Sequence, residues 1–206
     1  MIGCDISHHQ GMVDYNKLVA NHPPIEFLYI KASQGVGYTD PMLRTNVNAA
    51  ESIGLKWGVY HFASLNTNNV VPDAKAEAEY FLSIVRVLPK PYLPLVLDIE
   101  DEKGVHQYNL SKTDVLGWIN MFFDTLEQFG HNDYAIYSYT HFLNANLPTK
   151  HNLGGIPLWI AQYTTKSEPV IPIAWEDWWV WQRTDKGKVN GCLTNIDMNV
   201  SKNSLY

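Results

Sequence analysis

The sequence predicts an α/β fold, a modified β/α (TIM-like) barrel of about eight strands with fewer than eight helices, its last strands antiparallel or lacking helices. Three observations lead there. Apolar runs of strand length recur along the chain, with helical patterns between several of them. Strands that alternate with helices imply a parallel sheet with right-handed crossovers. The helical patterns stop in the last part of the chain, and 206 residues is short for a full barrel of ~250. A doubly wound open sheet is the alternative.

The first strand is expected around Ile2 to Ile6, and Phe27 to Ala32 (FLYIKA) is the second. Asp40 suits a helix N-cap with Pro41 at the first helical position, and that helix runs to about Ser52 before Gly54. Trp57 to Ala63 reads as a strand. Asp73 starts a helix, with Ala76, Tyr80, Ile84 and Val87 at helical spacing. Leu93 to Ile99 is a near-continuous apolar strand, of the kind a sheet covered on both faces uses. Ser111 and Asp114 form an S-x-x-D cap before a helix that ends near Gly130. Its apolar face is Val115, Ile119, Phe122, Phe123 and Leu126. Tyr134 to Tyr139 and Leu158 to Tyr163 are further strands. Trp178 to Gln182 and Thr194 to Val200 are strand-like, with Asp185-Lys186-Gly187 as turn residues between them.

Composition narrows the function. Hydrophobic residues make up 46% of the chain, enough for a substantial core, and one domain spanning residues 1–206 is expected. A formal charge of −6 with no basic run argues against nucleic acid and against an anionic membrane surface. No stretch approaches the roughly 20 apolar residues of a membrane span. The opening MIGCDISHHQG shows neither a basic n-region nor an apolar h-region, so no secretory signal is visible. Cys4 and Cys192 make no disulfide framework and no zinc site by spacing. Two buried thiols are expected, with a single bridge as the alternative.

The chemistry is carried by carboxylates. In PLVLDIED, Asp98 and Glu100 share one strand face while Ile99 takes the other. Leu95 and Leu97 have the parity of Ile99 and would pack against helices. The parity of Val96 points Asp98 and Glu100 to the interior mouth. GCDIS puts Asp5 at the end of the first strand, and NIDMNV puts Asp197 within the last. First and last strands are neighbours in a closed barrel, so Asp5, Asp98, Glu100 and Asp197 are expected to converge. Crowded carboxylates cannot all ionise, and a protonated acid beside an ionised one is what glycosidic cleavage needs. The alternative is that the same acids cap helices or hold a divalent cation, but no metal-ligand spacing such as H-E-x-x-H is present and no metal or cofactor is expected.

DISHHQG, YIKASQG followed by Tyr38 and Asp40-Pro41, GVYHF, PLVLDIE, WIAQY and the WVWQ…G…NIDMN ending resemble glycoside hydrolase family 25, the N-acetylmuramidases or Chalaropsis-type lysozymes. The resemblance spans essentially the whole chain, in order. It implies a barrel with fewer than eight helices and hydrolysis of the β-1,4 bond from N-acetylmuramic acid to N-acetylglucosamine in peptidoglycan. It implies Glu100 as general acid, Asp98 as its partner, and Asp5 and Asp197 as the rest of the acidic set. Tyr60, His61, Tyr137 and Gln182 would line the cleft. Trp159, Tyr163 and Trp178 join Tyr60 and Tyr137 as candidates to stack on sugar faces. Where the family's motif often has T-E-G, this chain has S-Q-G, so Gln34 removes a negative charge near the mouth and bears on sugar contacts.

The expected partner is the glycan strand of peptidoglycan, met by a monomer, with no nucleic acid and no membrane. Action on the bacterial wall would follow secretion, or cytoplasmic storage and holin-type release, as a phage endolysin or a bacterial autolysin. Two rival readings are a non-catalytic carbohydrate-binding relative and a metal-dependent barrel hydrolase.

Overall fold

The computed structural model describes residues 1–205. Nine strands and six α-helices are present among them, in the order β1 (Ile2–Ile6), α1 (Tyr15–Val19), β2 (Phe27–Gln34), β3 (Tyr38–Thr39), α2 (Leu43–Ser52), β4 (Lys56–Phe62), α3 (Val70–Val85), β5 (Leu95–Asp98), α4 (Glu102–Gln107), α5 (Lys112–Gln128), β6 (Tyr134–Tyr139), α6 (Thr140–Asn146), β7 (Leu158–Ala161), β8 (Val180–Gly187) and β9 (Ile196–Ser201). All but β3 close into an eight-stranded barrel. The pairings from β1 through β8 are parallel, and β9 is antiparallel to both β8 and β1. The two-residue β3 is an arm folded back on β2. No α-helix follows β7 among the described residues, so the expected barrel with a helix-poor end is the fold observed.

Strand parity builds two cores. Leu95, Leu97 and Ile99 join Phe81, Trp118 and Phe122 of α3 and α5 in the outer layer. Val96 joins Phe27, Tyr29, Tyr137 and Trp159 inside the barrel. Bulky rings fit there because two neighbours are glycines. A Cβ on Gly3 would lie 2.5 Å from the Phe27 ring, and one on Gly58 would lie 2.4 Å from the Tyr29 ring. The helices cover the outer layer with the stripes their periodicity requires. In α5 the expected face is buried in full, and Ser111 and Asp114 form the reciprocal cap.

Several boundaries differ from the sequence expectation. The stripe of α3 has the right period and the wrong phase: Ala74, Ala78, Phe81, Leu82 and Val85 are buried together with Glu77. A buried glutamate disguised that face. α3 begins at Val70, and Asp73 accepts a bond from Trp118 Nε1 at 2.9 Å instead of capping. α2 begins at Leu43, yet Asp40 caps the turn that leads into it: Oδ1 accepts the Met42 N–H at 2.9 Å, while Oδ2 bonds the backbone N–H and ring of His8. Asp185-Lys186-Gly187 is not a turn but the end of β8. Its pairing with β9 continues to Gly187↔Ile196 across two register shifts, which absorb these residues in bulges. Cys4 is buried, Cys192 is half-buried, and both are free thiols.

Candidate active site

The carboxyl ends of the parallel strands open into a cleft of about 350 Å³. Asp98 ends β5 with its side chain inward, buried to 6% exposure. Its Oδ1 is buried without a hydrogen-bond partner. Glu100 follows on the same side, half-buried, and lines the same cleft. Burial, then the charge of Asp5, pushes the Glu100 carboxyl up to about 7, against the opposing pull of Lys31. Burial, then Glu100, pushes Asp98 up as well, again opposed by Lys31. Two buried acids, one of them raised by the charge of the other, do not ionise together near neutral pH, so the pair retains one proton.

Asp5 and Asp197 meet because β9 runs back beside β1, where they are direct cross-strand partners. Asp5 is buried and richly bonded. Gln182 Nε2 donates to its two oxygens at 3.2 and 3.0 Å, and Asn199 Nδ2 donates to Oδ2 at 2.7 Å. Burial raises the Asp5 carboxyl, while these amide donors hold it down. Asp197 has no such donors. Burial and the charge of Asp5 push it up to about 8. The proton of this pair therefore resides on Asp197, and Asp5 is the ionised member. The donors are themselves oriented: Tyr137 and Tyr163 each donate to Gln182 Oε1 at 2.9 Å, and Trp159 Nε1 donates to Asn199 Oδ1 at 2.8 Å.

Most expected residues come together. Asp5, Asp98, Glu100, Asp197, Tyr60, Tyr137, Trp159, Tyr163 and Gln182 all line the cleft. Their depths differ. Trp159, at 1% exposure, is part of the floor, whereas Tyr163, at 53%, stands at the rim. Three candidates lie elsewhere. His61 is wholly buried on the outer face of β4, bonded to Ser33 Oγ and Glu77 Oε2 at 2.8 Å each and stacked on Phe122. Tyr60 faces inward, so the next residue cannot. Gln34 does not line the cleft; it accepts from Lys31 Nζ at 2.8 Å beside it. Trp178 precedes β8 at the opposite end of the barrel, bonded to Glu168.

Sequence reasoning missed Lys31, Ser7, His9, Gln10, Phe62 and Asp185, which complete the lining. Phe62 was legible, since it shares the parity of Tyr60. Asp185 was hidden by its reading as a turn. Among the described residues no His, Cys, Asp and Glu side chains are grouped as metal ligands. The geometry supplies a proton donor of raised affinity and an ionisable partner in a cleft large enough for a sugar ring.

The model of the glycosyl hydrolases family 25 matches residues 4–192. Lysozyme M1 of Streptomyces globisporus is 31% identical over 201 residues, covering 96% of this chain and 66% of that protein. The autolytic lysozyme of Clostridium acetobutylicum is 32% identical over 198 residues, covering 96% of this chain and 55% of that protein. The chain thus spans about two thirds or less of the length of these curated relatives. The crystal structure of the bacterial lysozyme from Streptomyces coelicolor superimposes with a TM-score of 0.85 at 29% identity, over 99% of this chain and 93% of that one.

Proposed function

This chain belongs to the glycosyl hydrolases family 25, and on that premise we propose that it is a muramidase, cleaving the β-1,4 bond from N-acetylmuramic acid to N-acetylglucosamine in peptidoglycan. The observation that carries the proposal is Glu100, a half-buried carboxyl pushed up to about 7 at the mouth of an acidic cleft. An acid of that affinity still holds its proton at working pH and releases it readily.

Glu100 gives its proton to the glycosidic oxygen as the bond to the anomeric carbon breaks. The 2-acetamido oxygen of the same sugar closes on that carbon, giving a cyclic oxazolinium. Asp98 is the partner of that step. Its carboxylate, which lines the cleft, accepts the acetamido N–H. That bond stabilises the Asp98 carboxylate, moves the shared proton to Glu100 and turns the acetamido oxygen toward the anomeric carbon. Strong burial of Asp98 on its own would keep the proton there. We place it on Glu100 because the donor that Asp98 lacks comes with the sugar. Glu100, now ionised, takes a proton from water as that water opens the ring, with retention. Asp5 raises Glu100 through its charge, and Tyr60 and Tyr163 offer ring surface to the sugars.

We assign residues 1–206 to one catalytic unit that works as a monomer on glycan strands, with no nucleic-acid or membrane partner. It reaches the wall by secretion or holin-type release. Digestion of purified peptidoglycan, followed by reduction and analysis of new ends, tests the proposal. Muramic acid at the new reducing end supports it; glucosamine overturns it. Glu100→Gln keeps the fold by circular dichroism and loses ~10²–10⁴-fold in turnover. Wall lysis near the wild-type rate by that variant removes Glu100 from its role.

A further inference from the structure

An irregularity in the barrel sets a neutral amide beside the cation that lines the acidic cleft. β2 and β4 pair in register up to Lys31↔Tyr60 and resume at Ser33↔His61, so Ala32 is one residue too many. In a regular strand Lys31 and Ser33 would share a face, with Gln34 on the other. The bulge turns Ser33 outward to His61 and returns Gln34 to the side of Lys31. Lys31 is 8% exposed. Its Nζ sits 4.8 Å from the centroid of the Phe62 ring and 5.9 Å from that of Tyr38. It is the one lysine or arginine lining the cleft among the described residues.

We propose that Lys31 and Gln34 are a positioning pair for the reaction: the ammonium, bonded to a neutral amide, directs its full charge at Asp98 and Glu100. This rests on the muramidase reading. Its physical basis is charge accounting. Lysine can only donate, so the oxygen of Gln34 faces Nζ and fixes where the charge sits. A carboxylate at position 34 would form an ion pair and cancel much of that field. Burial lowers the affinity of Lys31 for its proton, and the charges of Asp98, Asp40 and Glu100 oppose that. The other titratable groups facing the Asp98–Glu100 pair are acids and phenols: Asp5 of β1, Tyr60 of β4 and Tyr137 of β6. Tyr163 beyond β7, Asp185 of β8 and Asp197 of β9 complete them, with His9 at the rim. Lys31 therefore opposes the whole set. It favours one ionised member in the pair, so that Asp98 is an acceptor while Glu100 keeps the proton.

The test is the pH profile of kcat/KM on soluble glycan, in wild type and in Gln34→Glu, Lys31→Met and Lys31→Arg. Loss of positive field favours the protonated form of both acids. Both limbs of the profile move to higher pH in Gln34→Glu and in Lys31→Met, by about half a unit or more. Lys31→Arg keeps the charge and keeps the limbs in place. Gln34→Glu adds no bulk, so it reports even if Lys31→Met folds poorly. Limbs that stay put in Gln34→Glu, with only a lower rate, overturn the proposal. Carbon-13 titration of the Glu100 carboxyl separates the two failures. A wild type that leaves peptidoglycan intact sinks the muramidase reading, while an upward shift of Glu100 in Gln34→Glu upholds the pair and an unshifted Glu100 refutes it.

Discussion

Glu77→Gln is the sharpest perturbation of the scaffold beneath the cleft. Glu77 and His61 are both wholly buried, 2.8 Å apart, and the Ser64 N–H donates to the Glu77 carboxyl. The contact has the distance of an ion pair. Burial nevertheless pushes Glu77 up to about 9 and His61 down to about 3, so we take both as neutral, with the proton on Glu77. The folded pair then holds one proton from about pH 3 to about 9. Unfolded, with ordinary values of 4.5 and 6.5, the two groups hold two protons below the first, one between them and none above the second. Stability from the pair is thus greatest between those values and falls on either side. Above 6.5 the folded chain holds the extra proton, and the loss is about 1.4 kcal/mol per pH unit, or ~3 kcal/mol by about pH 8.5. A glutamine donates to His61 Nε2 and accepts from Ser64 as the protonated acid does, but carries no such proton. Urea melts of both proteins at about pH 6.5, 7.5 and 8.5 measure this. The variant gains on the wild type at each step, since every other titrating group is common to both. A stability gap that stays constant across the series would refute the retained proton.

Two further changes probe the cleft and the barrel. Asp5→Asn removes the charge that raises Glu100, so the ionised form of Glu100 is favoured and its affinity for the proton falls. The alkaline limb of the kcat/KM profile moves to lower pH by up to about one unit; a limb that moves up or not at all contradicts the electrostatic account. Gly58→Ala places a Cβ 2.4 Å from the Tyr29 ring and 2.9 Å from Leu93 Cβ. It costs ~1–3 kcal/mol in thermal or urea melts, and an unchanged midpoint would show that the interior has slack.

Much of this architecture was legible because two simple periods carried it. Alternation along Leu95 to Glu100 separated helix-facing leucines from inward acids, and the two cores divide along that line. Closure put Asp5 beside Asp197, as neighbouring first and last strands require. The same alternation shows why His61 failed as a cleft residue. Tyr60 and His61 came together from a motif resemblance, yet adjacent strand residues face opposite ways, and only Tyr60 reaches the cleft. Phase defeated the reading of α3, since Glu77 lies in its buried stripe for the sake of His61.

Lys31 itself was legible, since it shares the inward parity of Phe27 and Tyr29; the side taken by Gln34 was not. That side depends on the bulge after Lys31, and a bulge arises from tertiary pairing that no local pattern records. The pairing is itself held by the groups misread at the outer layer. Ser33, just past the bulge, bonds His61, which bonds Glu77 of α3, which in turn accepts the backbone N–H of Ser64 beyond β4. A polar chain buried among Phe81 and Phe122 therefore fixes the register in which Gln34 meets the cleft's ammonium. Buried polar groups of this sort are costly unless fully bonded, and once bonded they accept few alternative geometries. Hydrophobic burial selects the barrel; the Ser33–His61–Glu77 chain selects the register in which Gln34 returns to the side of Lys31.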